Sequence, residues 1–180
     1  TGNIQQTFAH VDKERFDRAT AQLADAERRL YIVGGRITQA LADYAFTHFQ
    51  AGRPRVTHMT SSSGTRPHYG LDMESGETLL IFDIRRYETN LLRLAEMVRK
   101  RDVRIVLFTD QWGSPVSSLA DVTFNCWGEI PSGWDSSVAT MMLRETMIAA
   151  VQERRWPEAR DRYERLDELF DMTSLFRKFT

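Results

Sequence analysis

Leu30-Tyr31-Ile32-Val33-Gly34-Gly35 decides how the rest of the chain is read. Four consecutive apolar residues stopped by two glycines are the pattern of a strand buried on both faces that ends in a tight turn. A helix is expected next, because Leu41, Ala42, Ala45 and Phe49 recur at threes and fours from Thr38, and Gly52 and Pro54 close the segment. Upstream, Phe16, Ala19, Leu23 and Ala26 keep the same spacing within Asp12 to Arg29, with Asp12 as the N-cap. Helix, strand, glycine turn and helix therefore follow in order.

The rhythm repeats downstream. Arg55 to Met59 reads as a short strand, and Thr60 to Gly76 is a Ser- and Gly-rich connection too long for a plain loop in a compact domain. It is expected to be a binding loop, or to hide a short helix near Tyr69 to Glu74, or both. Thr78 to Phe82 is a strand, and Tyr87 to Arg101 an amphipathic helix with Leu91, Leu94, Ala95 and Val98 on one face. Val103 to Phe108 and Val122 to Asn125 are further strands, with a helical turn at Val116 to Leu119 between them. A helix from Ser136 to Gln152, capped by Asp135, follows, and Pro157 opens the last helix. Strands alternating with helices predict a parallel sheet covered on both faces, hence a three-layer α/β/α sandwich. We divide the chain into a helical lead-in (1–29), a core (30–155) and a C-terminal helix and tail (156–180). Trp156, Ala159, Tyr163, Leu166 and Phe170 in the tail form a stripe that either covers the core or meets another subunit.

Composition bounds the function. The 180 residues carry 24 Lys plus Arg against 25 Asp plus Glu, so there is no overall field for gripping nucleic acid. The 42% hydrophobic content suffices for one self-supporting core. Cys126 is the sole cysteine, which excludes an internal disulfide, and no zinc spacing is present, so a reduced cytoplasmic protein is expected. No apolar run approaches a bilayer span. His48, His58 and His68 lack metal-ligand spacing, so neither a metal nor a cofactor is expected. The chain begins at Thr1 rather than Met, which leads us to expect a processed chain or a fragment.

In open parallel sheets, ligands bind beyond the carboxyl ends of the strands. This nominates the loops after the first four strands. Gly34, Gly35, Arg36 and Thr38 open a helix, where free amides and a hydroxyl can meet an anion or merely form a turn. Arg36 stands where a dinucleotide motif needs its second glycine, which argues against a Rossmann cofactor. Ser61, Ser62 and Ser63, after Thr60, offer consecutive hydroxyls that can wrap a polar ligand or simply face water. Asp83-Ile84-Arg85-Arg86-Tyr87-Glu88 is the most unusual stretch, since an apolar strand empties into two acids and two guanidinium groups. Arg85 and Arg86 can fork onto a carboxylate or phosphate, or pair internally with Asp83 or Glu88.

Taken together, Leu30 to Gly34, Thr78 to Phe82 with its helix, and Val103 to Thr109 leading to Ser114-Pro115 and then Leu119-Ala120-Asp121-Val122 resemble the sugar isomerase (SIS) domain. The likeness is to that domain as it occurs in RpiR-type (MurR/RpiR) bacterial transcription regulators, and it covers nearly the whole chain. It implies a flavodoxin-like five-stranded parallel sheet, a homodimer or homotetramer, and a phosphosugar pocket built by G-x-G-x-S and S-x-S-G-x-T loops. Here Arg36 replaces the second glycine and Thr38 the Ser. Asp83, Arg85, Arg86 and Glu88 fall on the Ser, Ser, Gly and Thr positions. Arginines fill space that small residues leave open, and the acids repel a dianion, so a different ligand or a pocket closed by ion pairs is expected.

The resemblance therefore implies the effector-sensing and oligomerising domain of a regulator, without catalysis of its own. Its ligand would be a small anion such as a sugar phosphate, a sugar acid or another carboxylate, and DNA would be reached only through an N-terminal helix-turn-helix domain lying outside this chain. The alternatives are an aldose-ketose phosphosugar isomerase, for which Glu88, Glu129 or His48 would serve as base, and a purely structural oligomerisation domain.

Overall fold

The protein is described by a computed structural model covering residues 1–59, 62 and 64–176. Five strands form one sheet: β1 (Leu30–Gly34), β2 (Val56–His58), β3 (Thr78–Phe82), β4 (Arg104–Asp110) and β5 (Val122–Cys126). Their order is β2-β1-β3-β4-β5, and every neighbouring pair is parallel. All five residues of β1 and of β3 are buried, as expected for central strands covered twice.

The two faces divide by the period of two. Leu30, Ile32, Leu80, Phe82, Val106, Phe108, Val122 and Phe124 point into one layer. There they meet α2 (Lys13–Ala24), α3 (Gln39–Gly52) and α6 (Val138–Arg154) through Ala19, Leu23, Ala45, Phe49, Leu143 and Met147. Tyr31, Val33, Leu79, Ile81, Ile105 and Leu107 face the other layer, against Leu91, Leu94, Ala95 and Val98 of α5 (Thr89–Arg99). The stripe expected for α5 is thus the face it buries. A 3-10 turn at Pro115–Ser118 stands where a helical turn was expected, its start capped by Ser114, whose Oγ accepts from the Val116 amide.

The expected Asp12 cap is present: its Oδ1 accepts from the Arg15 amide at 2.8 Å. Helix α1 (Gly2–Ala9) precedes it and closes over β5, where the amide of Trp127 donates to Thr7 Oγ1 at 2.8 Å and His10 stacks on the Trp127 ring. Two expectations are corrected. Helix α4 (Arg66–Asp72) starts earlier than Tyr69, because Pro67 favours the first turn of a helix. Asp135 does not cap α6: the N-cap is Ser137, with no side-chain bond, and the Asp135 carboxylate pairs with Arg85 instead. In α7 (Trp156–Thr173), which lies against α3, Ala159 is buried, Tyr163 and Leu166 are half-buried, and Trp156 is exposed.

Two arginines are buried in the α3 layer and donate to main-chain carbonyls. Arg53 donates to the carbonyls of Leu23 and Arg28, and burial lowers its pKa to about 10. Arg144 donates to Leu41 O at 2.9 Å and lies over the Tyr44 ring. Among the described residues no helix is long and apolar enough to cross a membrane.

Phe108 on β4 is fully buried between two strands, with its ring centre 5.2 Å from that of Phe82 on β3 and 5.1 Å from that of Phe124 on β5. Phe108→Ala removes both contacts and leaves a void that doubly covered strands cannot collapse to fill. We expect a loss of about 3–5 kcal/mol, read as a lowered urea midpoint with an unchanged m-value.

Candidate functional site

The strand order fixes where a site can form. From β1 the chain crosses through α3 to β2 on one side, then returns through α4 to β3 on the other. β1 and β3 are therefore neighbours whose connections leave in opposite directions, and the crevice between their carboxyl ends is the switch point at which such sheets bind ligands. A cavity of about 510 Å³ lies there.

Its floor is the turn after β1. A Cβ on Gly34 would overlap the Thr38 carbonyl, so the turn requires glycine. Thr38 Oγ1 accepts from the Gly35 amide at 2.8 Å and donates to Phe82 O at 2.6 Å. The hydroxyl that the sequence suggested for a ligand is thus engaged in joining the two loops. Gly35, Arg36, Ile37 and Thr38 line the cavity, and Gly34 lies beneath.

The loop after β3 makes one wall. Arg86 takes a left-handed φ of 67°, at the position that the resemblance aligns with a glycine. The Asp83 carboxylate turns inward, accepting from Ser114 Oγ and from the Glu88 amide, and burial pushes its pKa up. Asp110, also buried, accepts from the Arg85 amide at 2.7 Å and from the Tyr87 hydroxyl at 2.6 Å. Burial and that carboxylate raise the Tyr87 pKa. Asp83 and Asp110 therefore shape the loop from below.

The ion pairs differ from those suggested by the sequence, where Asp83 or Glu88 was matched with Arg85 or Arg86. Arg85 pairs with Asp135 at 3.0 Å and lies over Trp112, its guanidinium carbon 4.6 Å from the ring centre. The guanidinium of Arg86 is 5.9 Å from the centre of Trp134. Glu88 accepts from the Arg36 amide and stands 3.9 Å from the buried Arg66 guanidinium. Among the described residues, the side chains of Arg36 and Arg86 have no carboxylate partner.

The second wall comes from the loop between β5 and α6, through Ser132, Gly133, Trp134, Asp135 and Ser137. The sequence did not single these out as ligand contacts. The available signal was Trp134-Asp135, an aromatic and an acid after the last strand and facing an arginine-rich loop. Ser62 is exposed and is not among the described residues that line the cavity, and Ser61 and Ser63, with Thr60, fall outside the described residues. Of the bases considered for isomerisation, only Glu88 reaches the cavity: His48 packs on Tyr44, and Glu129 is exposed elsewhere. Chemically, the site combines guanidinium donors, serine hydroxyls and an indole face, a set suited to holding a polyhydroxylated anion.

The sequence profile of the SIS domain matches residues 22–150. No curated protein sequence matches the chain significantly. Among solved structures, the sugar isomerase domain of an RpiR transcription factor from Sphaerobacter thermophilus superimposes with a TM-score of 0.86 at 18% identity, covering 93% of each chain. The Vibrio vulnificus NanR protein, solved in complex with ManNAc-6P, gives 0.79 at 18% identity over 98% of this chain and 67% of its own. Phosphoheptose isomerase GmhA from Neisseria gonorrhoeae gives 0.68 at 12% identity over 84% of this chain and 91% of its own. At such identities these structures share a fold with this chain, and regulators and isomerases both use that fold. Since the profile spans most of the chain, and the doubly covered parallel sheet and its switch-point cavity are those of the fold, the chain belongs to the SIS domain family.

Proposed function

We propose that the chain is the effector-sensing domain of a transcription regulator, and that the cavity between the ends of β1 and β3 binds a small carbohydrate-derived anion. The observation that carries this reading is the pairing pattern. Asp83, Glu88 and Asp135 are all engaged within the protein, while Arg36 and Arg86 face the cavity without carboxylate partners. A guanidinium fork beside serine hydroxyls and an indole recognises a carboxylate or phosphate on a hydroxylated body. The likeness to the RpiR domain and to NanR, solved with a sugar phosphate, agrees with this class of ligand.

Catalysis is a weaker fit. Isomerisation needs a base free to take a proton from carbon, and the Glu88 carboxylate is already held by the Arg36 amide beside Arg66. The reading as a sensor requires that ligand bind two domain arrangements with different affinity. It assigns assembly to a homodimer or homotetramer and DNA contact to a separate helix-turn-helix module, in keeping with a net charge of −1 here.

Two measurements test the proposal. Calorimetry against sugar phosphates, sugar acids and small carboxylates should find a ligand, and Arg86→Ala should weaken it by about tenfold or more while leaving the melting temperature unchanged, since Arg86 is exposed. Should no metabolite of these classes bind, a purely structural domain is the better reading. Incubation with aldose and ketose phosphates should yield no isomer. Turnover abolished by a single carboxylate substitution would establish an isomerase instead.

A further inference from the structure

The place at the start of α3 where an anion would be received already holds one. Glu88 Oε1 accepts from the Arg36 amide, 52 residues away in sequence. A Cβ on Gly35 would come within 2.9 Å of the same oxygen and 3.3 Å of Thr38 Oγ1, so only glycine lets the carboxylate in this far. Glu88 Oε2 lies 3.9 Å from Arg66 Nη1, whose side chain is 3% exposed, and Arg66 Nη2 donates to Gly34 O at 2.9 Å. A main-chain amide ahead of a helix and a buried guanidinium together are the donor set that receives a free anion.

The placement is not a by-product of helix capping. Glu88 is itself the N-cap of α5, where an acidic side chain ordinarily accepts from an amide of its own first turn. It makes no such bond. Its carboxylate is directed away from its own helix and toward the turn before another. Its backbone is placed by the loop before it: its amide donates to Asp83 at 3.4 Å, and Arg86, two residues earlier, has a left-handed φ.

We infer that Glu88 is the specificity-determining residue of this cavity, a resident anion that keeps a ligand phosphate out of the start of α3 and leaves recognition to the Arg36 and Arg86 side. The ligand class is then a sugar derivative whose anionic group is a carboxylate held at the rim, not a phosphate held at the amides. An incoming phosphate would have to share the Arg36 amide with a carboxylate of the same sign at hydrogen-bond distance, and would meet repulsion that water screens only in part, since the Glu88 side chain is 31% exposed and backed by the buried Arg66. The inference rests on the cavity being the ligand site, and it is tested with a probe that does not require the natural ligand.

Inorganic phosphate is titrated calorimetrically into the intact chain and into Glu88→Ala and Glu88→Gln. Glu88→Ala empties the place and should bind phosphate about tenfold or more tightly than the unaltered chain. Glu88→Gln removes the charge but keeps an acceptor over the Arg36 amide, so its gain should be smaller. Equal phosphate affinity in the unaltered chain and Glu88→Ala overturns the inference, as does the absence of any gain in both variants. Should Glu88→Ala not fold, Glu88→Gln alone decides, a gain supporting and no gain refuting. The outcome is separate from that of the proposed function, which fails if no metabolite binds the unaltered chain whatever phosphate does to the variants.

Discussion

Thr38 Oγ1 accepts a hydrogen bond from the Gly35 amide and donates one to the Phe82 carbonyl, and so joins the turn after β1 to the end of β3. The hydroxyl is buried, where a hydrogen-bonding group left without a partner is costly, so it holds both loops in one register. Everything at the crevice follows from that tie. Gly34 must be glycine because the turn folds back onto the Thr38 carbonyl. The Arg36 amide is presented upward, and Glu88, leaving β3 at a fixed height, arrives opposite it. The Thr38 hydroxyl, one of the groups the sequence offers to a ligand, lines the cavity and is also the tie that fixes its floor.

Charge at the site is organised in two tiers. Below, Asp83 and Asp110 are buried acids whose oxygens are consumed by Ser114, Tyr87 and main-chain amides, so they act as loop-formers that organise the polypeptide. Above, Arg85 and Asp135 bridge the two walls, and each arginine of the pair Arg85 and Arg86 lies near an indole face. The exposed bridge adds little stability by itself, because solvent screens it and long side chains lose entropy. Its effect is positional: it sets the distance between the loop after β3 and the loop that enters α6.

The sheet was legible because strands covered on both faces must be apolar throughout. The apolar run Thr78 to Phe82 coincides with β3 to the residue, and Leu30 to Val33 with β1 to within one. The α5 stripe and the Asp12 cap were legible for the same reason, since local spacing alone determines them. The start of α4 and the cap of α6 were not. Pro67 was a signal for the first, whereas at Asp135 a long-range partner, Arg85, outcompeted the local role. At the site, the loops after β1 and β3 followed from topology, but which acid met which base did not. Glu88 and the Arg36 amide, or Asp83 and Ser114, are joined across strands, and no spacing along the chain encodes such a pairing.

The near-zero net charge acquires a more specific meaning once these pairings are known. Acids and bases balance in number, 25 against 24 Lys plus Arg, yet they do not balance in place. The acids beneath the crevice are buried and engaged, so the field felt by an approaching solute at its mouth comes from the exposed guanidinium groups of Arg36 and Arg86, with Arg85 partly offset by Asp135. One carboxylate, Glu88, breaks this segregation by standing at the amides in the midst of the basic rim. The cavity is thus cationic at its mouth and carries a carboxylate at the amide ahead of α3, an arrangement that neither the composition nor the fold alone would provide.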